Sequence, residues 1–143
     1  MKIFLSIKYH PDPGNRAHVE ALLALLENNG FEATCVVRDV EGWGAQPFSP
    51  TELMRRTLAE IDACDLLLVD LAEKGTGLGI EAGYAHARGI PIVTILPRES
   101  DLSPTLQGIA CGILRYNRVT DLAPWLAELR AVWPEELPSQ EFL

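Results

Sequence analysis

Apolar positions along this chain fall into two alternating patterns. Short apolar-rich runs predict strands at residues 2–7, 31–38, 66–69, 91–96 and about 112–116. Between them, apolar residues recur every three or four positions, the spacing of one helix face. A first helix is predicted over about 15–29, with Val19, Leu22, Leu23 and Leu26 on one side and Asn29-Gly30 as its stop. Ser49-Pro50-Thr51-Glu52 is a strong helix start: a cap, a proline at the first helical position and a glutamate three residues after the cap. The helix it opens should run to about Ala63, with Met54, Leu58 and Ile61 inward. A third helix is predicted from about Gly79 to Arg88, closed by Gly89. A short one starts at Ser103-Pro104, and a last one spans about 122–132, burying Leu122, Trp125, Leu126 and Leu129. Residues 39–48, which include Trp43, read as a loop.

Strands alternating with helices imply an α/β fold, a doubly wound parallel sheet with helices on both faces. The third strand, Leu66 to Val69, is apolar without alternation, as a strand covered on both faces must be. Right-handed crossovers and the order 2-1-3-4-5 are expected, a Rossmann/flavodoxin-like arrangement in one domain over 1–133. Residues 134–143 read as a loosely held acidic tail. Ligands of such sheets bind beyond the carboxyl ends of the strands, where the order reverses. Here that place lies between strands one and three, where the loops 8–16 and 71–80 meet.

Composition narrows the partners. The 143 residues carry 12 basic and 20 acidic side chains, a net charge of −8, with no basic cluster, so a nucleic-acid polymer is not expected. Small anions remain possible ligands, because local backbone dipoles can outweigh net charge. The opening Met1–Ser6 reads as a strand rather than a secretion signal, and no apolar run approaches a membrane span. Cys35, Cys64 and Cys111 lie far apart in or beside apolar runs, as reduced core residues of a cytoplasmic protein would. Neither they nor His10, His18 and His86 have the paired spacing of a zinc site, and no metal or organic cofactor is expected.

The chemistry concentrates in Asp70-Leu-Ala-Glu-Lys-Gly75-Thr-Gly77-Leu-Gly79-Ile-Glu81-Ala-Gly83-Tyr84. It reads as a strand end, a glycine-rich loop and a helix with Glu81 in its first turn. There the helix dipole would hold the carboxylate ionised. The bland alternative is that Glu81 merely complements the dipole. Gly77 and Gly79 either make a tight turn or let a sugar or base approach the backbone. The spacing Gly77, Gly79, Gly83 is GxGxxxG, which is not the dinucleotide fingerprint, and no Gly-Lys-Ser/Thr phosphate loop occurs. Across the crevice, Lys8, Tyr9 and Arg16 are candidate contacts, Arg16 against the reading of a solvated helix-start arginine. Asp70 and Asp39, ending strands three and two, are candidate polar groups or plain loop caps.

The run from Asp65 through Gly77-Leu-Gly79-Ile-Glu81-Ala-Gly83-Tyr84, followed by Gly89-Ile-Pro91-Ile-Val, resembles the nucleoside 2-deoxyribosyltransferase superfamily, which includes 2'-deoxynucleoside 5'-monophosphate N-glycosidases. The likeness is strongest over 62–96 and weaker from strand one to about Tyr116. It implies a five-stranded sheet, a homodimer or higher homo-oligomer, and a nucleoside or nucleotide substrate. It also implies Glu81 as nucleophile at the anomeric carbon, with Tyr84 in the matching run as a substrate contact. Ser103, ahead of Pro104, lines up with a serine that binds the 5'-phosphate of a neighbouring subunit's site; a plain helix cap is the other reading. One position departs. The aspartate that family enzymes carry eight residues before Asp65 is Thr57 here, and threonine cannot protonate a leaving base. Either Asp70 takes over the acid work, or another loop group does, or the chemistry is lost. The competing readings are a non-catalytic nucleotide-binding module and an interaction domain that keeps only the fold.

Overall fold

Five short strands are pinned side by side by their apolar runs: β1 (Lys2–Ser6), β2 (Glu32–Thr34), β3 (Leu66–Asp70), β4 (Ile92–Pro97) and β5 (Gly112–Tyr116). In this computed structural model, which describes residues 1–12 and 14–135, all pairings are parallel and the order is β2-β1-β3-β4-β5. The expected sheet is therefore present. The expected tail from residue 136 onward lies outside the described residues.

Side chains alternate through the sheet into two cores. Ile3, Leu5, Leu66, Leu68, Val93, Ile95 and Leu114 face α1 (Arg16–Asn28) and α5 (Ala123–Val132), which contribute Leu22, Leu23, Leu26, Trp125, Leu126 and Leu129. Phe4, Leu67, Val69, Ile92 and Leu96 face α2 (Pro50–Asp62), α3 (Thr76–Ala87) and α4 (Pro104–Ile109) through Ile61, Leu78, Ala82, Ala85 and Leu106. Every residue of β3 is buried, the signature of a central parallel strand. Burying a single large apolar side chain of this kind contributes about 1.5–3 kcal/mol.

The α2 start behaves as its sequence requires, since the Ser49 hydroxyl accepts the Glu52 amide 3.2 Å away and Pro50 opens the helix. Four expectations need correction. Strand two stops at Thr34, because the backbone then closes a π turn over Val36–Val40, held by the Asp39 carboxylate accepting the Cys35 amide at 2.8 Å. The segment expected as a loop from 39 thus begins inside that turn. The third helix starts at Thr76, three residues before the expected Gly79, with Gly75 extended ahead of it. Gly77 and Gly79 lie within the helix rather than in a turn, and Glu81 lies in the second turn. Finally, Cys35 and Cys64 are buried but Cys111 is exposed, so the third cysteine is not a core residue.

Candidate active site

The switch point of the sheet lies between β1 and β3. Ser6, the last residue of β1, pairs in register with Val69, so Ser6 and Asp70 stand on neighbouring strands offset by one residue. Their Cα atoms are then roughly 6 Å apart, from ordinary strand spacing and rise. Their side chains point to opposite faces, Ser6 with Phe4 toward α3 and Asp70 with Leu68 toward α1. Each gathers a cluster at the carboxyl edge of the sheet.

On the α3 face the cluster is Glu81 and Ser6. The apolar side of α3, Leu78, Ala82 and Ala85, packs on the sheet and carries Glu81 to the edge beside it. The buried Ser6 hydroxyl donates to Glu81 Oε2. Among the described residues, no cation pairs with Glu81. Burial therefore dominates and raises its pKa from 4.5 to about 7, with the Ser6 hydrogen bond opposing the rise. This corrects the expectation of a carboxylate held ionised by the helix dipole. The field of a helix end fades within the first turn, and Glu81 lies past it.

On the α1 face the cluster is Asp70, His18 and Tyr116. The Asp70 side chain is fully enclosed and its oxygens are both engaged. Oδ2 receives His18 Nε2 at 2.6 Å; Oδ1 accepts the Tyr116 hydroxyl at 3.2 Å and the Ala72 amide at 2.9 Å. His18 is the open member, its side chain 30% exposed. The hydrogen bond and charge of Asp70 raise the His18 pKa above its usual 6.5, partly offset by burial, and so favour the imidazolium form. Burial and the neighbouring carboxylate push the Tyr116 phenol well above its ordinary 10, so it stays protonated.

His18 and Asp70 line a cleft of about 130 Å³ with Ile7, Lys8, Asn15, Ala72 and Glu73. Its mouth is crossed by Glu73, whose carboxylate meets Lys8 Nζ at 3.5 Å and His10 Nε2 more closely. A second cleft of about 140 Å³ opens at the start of α3, lined by Lys74, Gly75, Gly79, Ser103 and Thr105 over an apolar floor of Leu71, Leu78 and Leu106. The two adjoin where Lys8 packs against Gly75, 3.4 Å from the position a Cβ would take there.

The remaining predicted residues fall in different places. Lys8 and Gly79 line these clefts, and Gly77 lies on the other side of α3, with no described atom beyond its chain neighbours and its own helix backbone within 4 Å of a Cβ built there. Ser103 precedes α4, but its hydroxyl bonds Thr105 Oγ1 at 2.8 Å instead of capping the backbone. Arg16 lies 4.1 Å over the Trp43 ring and pairs with Glu20, and Tyr9 meets Trp43 edge-on. Both are thus committed to anchoring the 41–46 loop. Two expectations are corrected. Asp39 lies beyond β2 and lines a separate charged cleft with Arg55, Arg56 and Glu60. The Tyr84 hydroxyl donates to Asp62 at the end of α2, where the chain turns into the amino end of β3, so the phenol points away from the site. Thr57 is buried, and its hydroxyl donates to the Leu53 carbonyl of its own helix.

Ser6, His18 and Tyr116 escaped the sequence reading. Ser6 left one faint signal, a hydroxyl ending an apolar strand at the switch point. His18 and Tyr116 are 98 positions apart, and nothing local joins them. Among the described residues, no group of three or more His, Cys, Asp or Glu side chains is placed to hold a metal ion, and no helix is long and apolar enough to cross a membrane.

A partly buried carboxylate can attack an electrophilic carbon, and an imidazolium can deliver a proton; here the two groups stand on opposite faces of the sheet at its carboxyl edge, and Glu81 lines neither cleft. The nucleoside 2-deoxyribosyltransferase family matches residues 4–124. A Thermofilum pendens protein provisionally named 2'-deoxynucleoside 5'-phosphate N-hydrolase 1 is 25% identical over 147 residues, covering 98% of this chain and all of its own length. The Clostridium botulinum CMP N-glycosidase shares the fold with a TM-score of 0.63 at 21% identity, over 91% of this chain and 99% of that one. A 2-deoxyribosyltransferase from Bacillus psychrosaccharolyticus does so with a TM-score of 0.68 at 16% identity, over 86% and 90%.

Proposed function

This chain belongs to the nucleoside 2-deoxyribosyltransferase family, and from that premise we propose that it cleaves the N-glycosidic bond of a nucleoside or nucleoside 5'-monophosphate with Glu81 as nucleophile. The observation that carries the reading is the Glu81 carboxylate itself. It is partly buried, engaged by a neutral hydroxyl rather than a cation, and set at the switch-point edge, where two clefts open among its neighbours in β3, the loop after it and α3, although Glu81 itself lines neither. A carboxylate with a pKa near 7 is half ionised at neutral pH, and poor solvation of the anion makes it a stronger nucleophile.

In this reading the sugar rests over Ser6 and Glu81. As the bond from C1' to the base nitrogen breaks through an oxocarbenium-like transition state, its electron pair leaves with the base and a Glu81 oxygen bonds to C1'. Water then attacks C1', the ester bond to Glu81 breaks, and the carboxylate is restored; a second base in place of water gives transfer. The cleft holding Lys74, Gly75, Gly79 and Ser103 suits a 5'-phosphate, because the start of α3 presents free backbone amides beside a lysine. A homodimer or higher homo-oligomer and a cytoplasmic setting belong to the same reading; sedimentation of the purified protein tests the first.

The test is release of free base from a panel of deoxynucleosides, ribonucleosides and their 5'-monophosphates. Base release that persists in Glu81→Ala overturns the mechanism. One observation favours a second reading: Thr57 stands where the family has an acid, and its hydroxyl is consumed within its own helix. A non-catalytic nucleotide-binding module would raise its melting temperature with ligand yet release no base.

A further inference from the structure

We propose that His18 is the proton donor to the departing base, held in place by Asp70 and Tyr116, and so replaces the acid that Thr57 cannot be. The inference rests on the glycosidic reading above and names a further group for the same reaction.

Three observations support it. First, although Asp70 borders the cleft, its side chain has no exposed surface, and its two oxygens are occupied by His18, Tyr116 and the Ala72 amide. The exposed end of this network is the His18 ring. Second, the network fixes that ring. Nε2 is tied to Asp70, with the Tyr116 hydroxyl 3.5 Å away, and Nδ1 has no protein partner among the described residues. A buried carboxylate behind an imidazole sets its orientation and favours its charged form. Third, the cleft is placed for a base. The space that His18 lines with Ile7, Lys8 and Asn15 adjoins the Lys74–Ser103 cleft where Lys8 meets Gly75, so a phosphate in the one directs the rest of a nucleotide along the sheet edge toward the other.

The charged groups facing His18 are few. Asp70 and Tyr116 approach from β3 and β5, Lys8 from the segment after β1, and Glu73 from the segment before α3. Lys8 and Glu73 pair with each other, which leaves Asp70 as the uncompensated charge on the ring. In the first half-reaction the Nδ1 proton moves to the base nitrogen or carbonyl that gains electron density as the bond to C1' breaks. The base leaves neutral and His18 becomes neutral. In the second half-reaction the water that attacks C1' gives its proton back to Nδ1, and enzyme and protons return to the starting state.

The experiment compares two leaving groups. An ordinary purine deoxynucleoside 5'-monophosphate needs a proton to depart; its N7-methylated guanine counterpart already carries a positive charge on the base and does not. For wild type, kcat on the ordinary substrate should fall as pH rises through the His18 pKa, and kcat on the methylated one should stay level there. His18→Asn should lower kcat on the ordinary substrate by roughly 10²- to 10⁴-fold, the usual worth of a positioned general acid. On the methylated substrate the loss should stay below about threefold, against that same general-acid scale. Equal losses on both substrates, or a high-pH fall in wild type shared by both, would overturn the assignment. The wild-type comparison decides even if His18→Asn fails to fold. If wild type releases no base from either substrate, the glycosidic reading itself is what fails.

Discussion

Replacing Glu81 by Gln should make this protein more stable and inactive at once, and the gain should depend on pH. The folded carboxyl group has a pKa of about 7 against an ordinary 4.5. The native state therefore binds the proton more tightly than the unfolded chain. The sign follows: wild-type stability declines as pH rises from about 4.5 to about 7, then levels off. Each pH unit across that window is worth about 1.4 kcal/mol, so ionisation costs the fold up to about 3 kcal/mol at pH 8. Glutamine has the same shape, keeps an oxygen that can accept from Ser6, and never ionises. Glu81→Gln should match wild type near pH 5 and exceed it by up to about 3 kcal/mol at pH 8, a rise in Tm of roughly 10 °C for a chain of this size. Thermal melts of both proteins from pH 5 to 8.5 measure the difference directly. A gap that does not change with pH, or a glutamine variant weaker throughout, would show that the carboxylate is not held against its own ionisation.

Three further outcomes test neighbouring contacts. Ser6→Ala removes the one contact that favours the Glu81 anion, so the low-pH limb of base release should move to higher pH, read from a kcat–pH profile. Asp70→Asn removes the negative charge beside His18 and leaves at most a weaker, neutral hydrogen bond against burial, so the imidazole proton resonances should titrate at lower pH than in wild type. Gly30→Ala forces a side chain onto a residue at φ +84° and onto the Arg130 guanidinium, 2.7 Å from the new Cβ; denaturant unfolding should show a loss of about 1–2 kcal/mol.

Much of this architecture can be read before any coordinates. Apolar runs without alternation mark the covered strands, and the Ser49 cap with Pro50 at the first helical position is found as read, although the Glu52 carboxylate turns to Arg55 and Arg56. From strand order alone, the switch point between β1 and β3 follows, and with it the neighbourhood of Glu81. What misleads is glycine. Gly77 and Gly79 read as turn residues, yet both are helical, and this displaces Glu81 by nearly a turn and replaces a dipole argument with a burial argument. The Asp70, His18 and Tyr116 network is illegible for another reason. Each residue is unremarkable in its own segment, and only the sheet and α1 bring all three together. Asp39 and Tyr84 are misread because a side chain's direction depends on the partners it finds, here the local Cys35 amide and Arg38 of a π turn that the sequence does not announce for one, and Asp62, 22 positions away, for the other.

The glycines of α3 have a consequence for how the site moves. Gly77, Gly79 and Gly83 stand within one helix of 12 residues, and among the described residues nothing outside their own stretch of helix lies within 4 Å of where their Cβ atoms would be. Each gives up about 0.5–1 kcal/mol of helix stability relative to alanine, with no packing in the monomer that demands the omission. The segment that bears Glu81 is thereby the easiest helix to loosen. Amide exchange should start there while the sheet beneath stays closed, and a bound sugar would tighten what the sequence leaves slack.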